Sequence, residues 1–175
     1  SRLLATGGAV LNEDKSRAVF AALGVAQARA VTVKSAAEVR ALDLAFPVVA
    51  KIVSVDIPHK TEAGGVRIGI SGDEALKMAC REIQASVASH APKAHLDGLL
   101  VQAMVSGAVE VILGTVRDEQ FGPTIMFGLG GIHAEVLKDV SFRVLPITRS
   151  EAHDMVREIR AFAILDGARG KPKAD

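Results

Sequence analysis

From residue 48 to 53 the chain is almost unbrokenly apolar and mostly β-branched, Val48-Val49-Ala50-Lys51-Ile52-Val53, which predicts a buried strand. Before it, Asn12 is placed to cap a helix over Glu13 to Leu23, with Gly24 as its stop. Ala28 to Val33 reads as a short strand. Ser35-Ala36-Ala37-Glu38 has the form of a capping box opening a second helix that ends before Phe46-Pro47. After the 48–53 strand come a polar loop, Ser54 to Gly65, a strand from Val66 to Ile70, and a long helix from Asp73 to about His90, closed by Pro92.

Leu99 to Met104 and Val109 to Val116 read as neighbouring strands around Ser106-Gly107. Arg117 to Pro123 is a turn and Thr124 to Phe127 a further strand, which Gly128-Leu129-Gly130-Gly131 breaks. Ala134 to Leu137 and Phe142 to Leu145 are strand-like. Thr148-Arg149-Ser150-Glu151 is a second capping box, starting a helix to about Phe162, and Gly167, Gly170 and Pro172 loosen the end. Helices and strands mix without strict alternation, so the expected class is α+β with two lobes.

Composition narrows the function classes. In 175 residues, 49% are hydrophobic and mean hydropathy is +0.29, enough apolar surface for a sizeable core and too much for a disordered chain. Aromatics are only 3%, six Phe with no Trp or Tyr, which argues against a base-stacking platform. Net charge is +1 with acids and bases interleaved, so no basic field is present for a nucleic acid. A single cysteine, Cys80, excludes an intrachain disulfide; set among Met78, Ile83 and Val87, it is expected to be a packed thiol. No apolar run reaches membrane-spanning length and no signal core opens the chain, so a cytoplasmic protein is expected, without membrane or nucleic-acid partners. The absence of an initiator Met fits an internal piece of something longer.

Lys51 is the most informative residue. A lysine amid Val48, Val49, Ile52 and Val53 is costly unless paired. Either it turns outward to an edge or to solvent, or its ammonium projects into a cleft and meets an anion such as a nucleotide phosphate. The loop Asp56-Ile57-Pro58-His59-Lys60-Thr61-Glu62-Ala63-Gly64-Gly65 concentrates an imidazole, an ammonium and carboxylates between two buried strands. Flanking carboxylates can hold an imidazole in one tautomer, freeing its other nitrogen as base, nucleophile or ligand; the alternative is a solvated turn. The loop lacks the Walker A order. Gly128-Leu129-Gly130-Gly131 is either a nest of N–H groups for a phosphate or a tight turn between strands. Glu110, Glu135 and Asp139 are each candidates for a magnesium or ribose contact, or lie on a solvated face. His90, His95, His133 and His153 lack metal-like spacing, and Arg157, Glu158 and Arg160 read as a solvated helix face.

The ordered set Val48 to Ile52, Asp56 to Thr61 with Gly64-Gly65-Val66, Leu100-Val101-Gln102-Ala103-Met104, Val109 to Gly114, Gln120 to Pro123, Met126 to Gly131, and Glu135 to Val140 with Phe142-Arg143 resembles the ATP-grasp domain of the ADP-forming acyl-CoA synthetases, relatives of the succinyl-CoA synthetase β subunit. The likeness runs from about residue 12 to the end. It implies an ATP-grasp fold of two α+β lobes gripping ATP: a smaller lobe over 25–104, and a larger one over 1–24 and 105–175, incomplete at its C-terminus. It further implies that Lys51 reaches the nucleotide phosphates and that Gln102, Ala103 and Met104 join the lobes and pair with adenine. Val49 and Met104 would sandwich the purine, Glu110 would serve ribose or interlobe contacts, and Gly128, Gly130 and Gly131 would line the phosphate side.

By the same resemblance, His59 carries a phosphoryl group between a CoA-ligase subunit and the nucleotide. The implied reaction is acid + CoA + ATP ⇌ acyl-CoA + ADP + phosphate, with ATP/ADP and Mg2+ as cofactors. The family's magnesium ligands, an acid-x-Asn-Pro element and a later Asp, are expected beyond Asp175. CoA-binding and ligase domains, with the carboxylic acid and CoA bound there, are the implied partners. Two rivals are a regulatory module fused to a protein acetyltransferase and a non-catalytic interaction module.

Overall fold

The computed structural model describes residues 10–40, 42–106, 109–131, 139–168 and 173–174. The chain divides into two compact units, Ser1–Val105 and Ser106–Asp175.

Helix α1 (Glu13–Ala22) starts as the sequence predicts: the Asn12 side chain accepts from Lys15 N at 2.9 Å, and Glu13 and Asp14 sit in the first turn, where carboxylates favour the helix dipole. Gly24, at φ +84°, makes the left-handed stop. The sequence reading grouped residues 1–24 with the second half; the described side-chain contacts of residues 12–17 run within the first unit, to Ala28, Thr32, Lys51, Lys60 and Asp97.

The second predicted helix does not form. Only a single 3-10 turn, Ala36–Glu38, follows Ser35. Ser35 makes no capping bond, and Glu38 accepts instead from Lys34 N at 2.7 Å, one residue too early for a capping box. Val39, Leu42 and Leu44 then reach the core from irregular backbone, so burial overrides the local helix signal.

Strands β1 (Ala30–Val33), β2 (Val48–Val53), β3 (Val66–Ile70) and β4 (Gly98–Ala103) form an antiparallel sheet ordered β1-β4-β2-β3. Alternation sorts β2 and β4 cleanly. Val48, Ala50, Ile52, Leu99 and Val101 enter the main core, whereas Val49, Lys51, Leu100 and Gln102 take the other face. Helix α2 (Asp73–His90) covers the first face with Leu76, Ala79, Cys80, Ile83 and Val87, a helical stripe. Cys80 is fully buried, and burial pushes its thiol up, which keeps it protonated and inert.

The second unit is the meander β5 (Val111–Asp118), β6 (Gly122–Leu129) and β7 (Val140–Val144), with α3 (Arg149–Glu158) and a single turn α4 (Phe162–Leu165). Phe127, Leu129, Met155, Ile159 and Leu165 make its core. The capping box at Thr148 and Glu151 is present in both directions. Three expectations are corrected here. Strands 98–103 and 111–118 are not neighbours, because β1 and β2 occupy both edges of β4. Strand β6 runs through Gly128 and Leu129 rather than breaking at Gly128, whose residue pairs with Ile112 and Val140. Helix α3 stops at Glu158, because the Asp139 carboxylate accepts from Arg160 N and Ala161 N at 2.9 and 2.8 Å and turns the chain. The strand expected at 134–137 lies outside the described residues.

Candidate functional site

Strand β2 is an interior strand, so the outward-to-an-edge alternative for Lys51 fails. Its side chain leaves the sheet on the face opposite α2, beside Gln102, and its ammonium is held from within the chain. Lys51 Nζ donates to Glu13 Oε1 at 2.9 Å and to Gln102 Oε1 at 3.1 Å. The second oxygen of Glu13 accepts from Lys60, in the loop after β2. One carboxylate on the first turn of α1 therefore serves two ammoniums. Burial alone would raise the Glu13 carboxyl, but hydrogen bonds from Lys60 and Lys51 and their charges outweigh it and hold it below the usual glutamate range. Two cations on one anion leave an excess positive charge, with all three side chains a fifth to a quarter exposed.

Glu13 is not among the residues the sequence singles out, and Lys60 enters there only as the ammonium of the polar loop. A signal for the former existed: a lysine in an interior strand requires a partner, and α1 begins with an acid directly after its cap.

His59 stands on the loop between β2 and β3. Ile57 and Ala63 bury their side chains and anchor the loop's two ends, while Pro58, His59, Thr61 and Glu62 are exposed. The exit is fixed by a tight turn, Gly65 N donating to Lys60 O at 2.7 Å, with Ser86 Oγ and Arg67 holding the carbonyls of Ala63 and Gly64. Gly64, at φ +66°, has no room for a Cβ, which would fall 2.2 Å from Ser86 Oγ. The carboxylate grip, one of the two alternatives for this imidazole, does not form among the described residues. Asp56 accepts from His95 N at 2.7 Å instead, and no described hydrogen bond engages the His59 ring. His59 is one of the residues lining an open depression of about 410 Å3 between Pro58 and Val66.

Gln102 spends its side-chain oxygen on Lys51. Ala103 N donates to Arg29 O at 2.9 Å and Met104 N to Pro47 O at 3.2 Å, so both N–H groups of this segment are already paired. The Met104 side chain is open to solvent and Val49 is buried.

In the second unit the structure brings Glu110 and the glycines together. Gly130 N donates to Glu110 O at 2.7 Å. A Cβ on Gly130 would lie 3.1 Å from the Glu110 backbone, and one on Gly131, at φ +60°, 2.5 Å from Glu110 Oε2. Gly128 serves strand packing, since a Cβ there would meet Asp139 O and Val140 Cγ1 at 2.8 Å. Glu135 and His133 lie outside the described residues, and Asp139 is taken up by the 160–161 turn. A cavity of about 510 Å3 lined by Val111, Phe127, Val156 and Phe162 contains none of the predicted site residues. Among the described residues no three His, Cys, Asp or Glu side chains converge to hold a metal ion. No helix among them is long and apolar enough to cross a membrane.

A sequence profile described as an ATP-grasp domain matches residues 2–175. The chain belongs to the ATP-grasp family. The resemblance read from the ordered motifs thus holds, and the ATP-grasp fold with it. An ADP-forming acetate–CoA ligase I of Archaeoglobus fulgidus is 47% identical over 176 residues, covering 99% of this chain and 25% of that protein. The β subunit of the Pyrococcus furiosus ADP-forming acetate–CoA ligase I is 52% identical over 129 residues, 74% of this chain and 56% of the subunit. The chain therefore spans a quarter to just over half of these relatives' length.

Among solved structures, an acetyl-coenzyme A synthetase of Candidatus Korarchaeum cryptofilum, in complex with coenzyme A and Ca-AMPCP, superposes with TM-score 0.88 at 40% identity. It covers 94% of this chain and 73% of that one. The same synthetase solved with coenzyme A, acetyl-coenzyme A and a phosphorylated phosphohistidine segment gives TM-score 0.80 at 38% identity over 94% of this ATP-grasp chain and 72% of that one.

Proposed function

We propose that this ATP-grasp chain is the nucleotide-binding portion of an ADP-forming acyl-CoA synthetase that works through a phosphohistidine relay. The observation that carries the reading is the convergence of two ammoniums, Lys51 and Lys60, the second adjacent in sequence to an exposed histidine whose ring no described hydrogen bond engages. Excess positive charge on the residue after an imidazole that no described hydrogen bond engages suits an incoming phosphoryl group, and the relatives that are named ADP-forming acetate–CoA ligases supply the reaction class.

In the ligation direction, a ring nitrogen of His59 attacks the γ-phosphorus of ATP. A new N–P bond forms as the bond from phosphorus to the bridging β,γ oxygen breaks, and ADP leaves. The phosphohistidine then gives its phosphoryl group to the carboxylate of the acid, forming an acyl phosphate, and the CoA thiol displaces phosphate to leave acyl-CoA. Splitting the transfer replaces one long displacement by shorter ones. Lys51 neutralises charge on the moving group. Gln102, Ala103 and Met104 lie along the adenine, where the paired N–H groups of 103 and 104 leave the apolar side chains of Met104 and Val49 as the purine's contacts. Glu110, Gly130 and Gly131, brought together in the second unit, are assigned to nucleotide contacts; Mg2+ would supply neutralisation of the phosphate charge. CoA and the acid bind on ligase domains of the same protein or of a partner subunit.

Calorimetric titration with Mg-ATP and Mg-ADP tests the reading. Lys51→Met is expected to weaken nucleotide binding tenfold or more, about 1.4 kcal/mol. His59→Ala is expected to abolish phosphoryl transfer from labelled ATP while sparing ATP binding. Normal turnover in that variant would remove His59 from the mechanism.

A further inference from the structure

Glu13 stands outside the motifs that carry the family resemblance, yet its two carboxylate oxygens take the ammoniums of Lys51 and of Lys60, the residue after His59. Lys51 belongs to an interior strand and pairs on both sides, with Val66 and Leu100. Lys60 belongs to the turn that follows His59, and the loop's exposed middle runs between the buried anchors Ile57 and Ala63. The carboxylate thus ties the exposed part of the loop to the rigid sheet. Two like charges come together here because an anion lies between them. A nucleotide phosphate carries more charge than a carboxylate and more oxygens to share between two ammoniums, so it is the stronger partner for both. All three side chains retain some solvent access, through which an anion can reach the lysines.

We propose that Glu13 is the positioning residue of this site, a placeholder that holds Lys51 and the His59-bearing loop together in the absence of nucleotide and cedes both ammoniums to the incoming phosphate. This rests on the reading of Lys51 and His59 given above. Glu13 touches no reacting atom and acts through the two lysines.

The test uses the complete enzyme and three variants, Glu13→Gln, Glu13→Asp and Lys51→Met. Two quantities are read: the dissociation constant of Mg-ATP by calorimetry, and the rate of tryptic cleavage after Lys60, assigned by mass spectrometry, with and without Mg-ATP. Removing the competing carboxylate charge in Glu13→Gln is expected to tighten Mg-ATP binding threefold or more. Without nucleotide, cleavage after Lys60 is expected to rise severalfold, and saturating Mg-ATP is expected to return it to the wild-type rate. Glu13→Asp, a methylene too short to span both lysines, is expected to give intermediate cleavage, and it serves as the test should the Gln variant misfold. A residue that merely stabilises α1 cannot tighten nucleotide binding when replaced.

Unchanged or weakened Mg-ATP affinity in the Glu13 variants, or unchanged loop cleavage, would overturn the placeholder role. The Lys51→Met arm separates the two readings. Lost binding there with no tightening at Glu13 refutes the placeholder alone, whereas retained binding refutes the phosphate assignment and the placeholder with it.

Discussion

Replacing Lys51 by Met separates what the lysine does for the fold from what it does for a ligand. The perturbation removes one ammonium and keeps an unbranched stem of similar length, so the packing between Val49 and Val53 on the same face of β2 survives. Two hydrogen bonds go, to Glu13 Oε1 and Gln102 Oε1. Neither partner is stranded, because Glu13 keeps Lys60 through its other oxygen, and Gln102 is only partly buried. A fully buried charge-assisted hydrogen bond is worth about 1.5–3 kcal/mol. Discounted for solvent access and for the loss of one of two neighbouring like charges, the net effect on folding falls to about 0–1 kcal/mol. Urea unfolding followed by far-UV circular dichroism would measure it, with an unchanged m-value as the check that two-state behaviour persists. The expected result is near-native stability alongside weakened Mg-ATP binding. A loss of about 2 kcal/mol or more would refute this reasoning, because it would make Lys51 a structural ion-pair residue first and its neutralisation by Glu13 the reason it is there.

Two further outcomes follow from the same geometry. Gly131→Ala forces a Cβ into the left-handed region at φ +60° and to within 2.5 Å of Glu110 Oε2, and is expected to destabilise the second unit by about 1–2 kcal/mol in urea melts; an unchanged midpoint would mean the glycine turn is not tight. Because Glu13 titrates below its ordinary range, its ion pairs add stability that is fully present above the unfolded-state pKa and is lost as pH falls through the lower folded-state value. The stability gap between wild type and Glu13→Gln should therefore be constant near neutrality and close on the acid side of the usual glutamate range; a gap that persisted at the lowest pH reached by the folded protein would show that charge is not its source.

What the sequence made legible is whatever depends on one residue and its near neighbours. The Asn12 and Thr148 caps, the Gly24 stop, the buried run at 48–53 and the apolar stripe of α2 all follow from local chemistry, and each forms. Residues 35–38 carry an equally good local signal and yield one 3-10 turn, because Val39, Leu42 and Leu44 gain more by reaching the core than a short helix gains by its cap. The pairing of 98–103 with 111–118 failed for a related reason. Adjacency in sequence favours a hairpin, but an edge can be used only once, and β1 and β2, both earlier in the chain, take both.

The candidate site divides along the same line. Lys51 was conspicuous because an ammonium in an apolar strand violates a local rule, and such violations tend to mark function. That it needed a partner was legible, but which carboxylate would serve was not, since nothing in residues 48–53 says that a helix beginning 38 positions earlier will deliver one to it. The pairing also changes what the lysine means. Had Lys51 been found unpaired, its cost to the fold would itself have argued for an absent ligand. Found paired to a carboxylate that Lys60 shares, it is stable as it stands, and the case for a phosphate rests on charge count: two cations to one anion, beside a histidine that no described hydrogen bond engages. A scaffold built only for stability has no use for the second lysine, because a one-to-one pair satisfies the same buried groups with less repulsion. That surplus charge, rather than the presence of any single residue, is what sets this corner of the first unit apart from an ordinary structural ion pair.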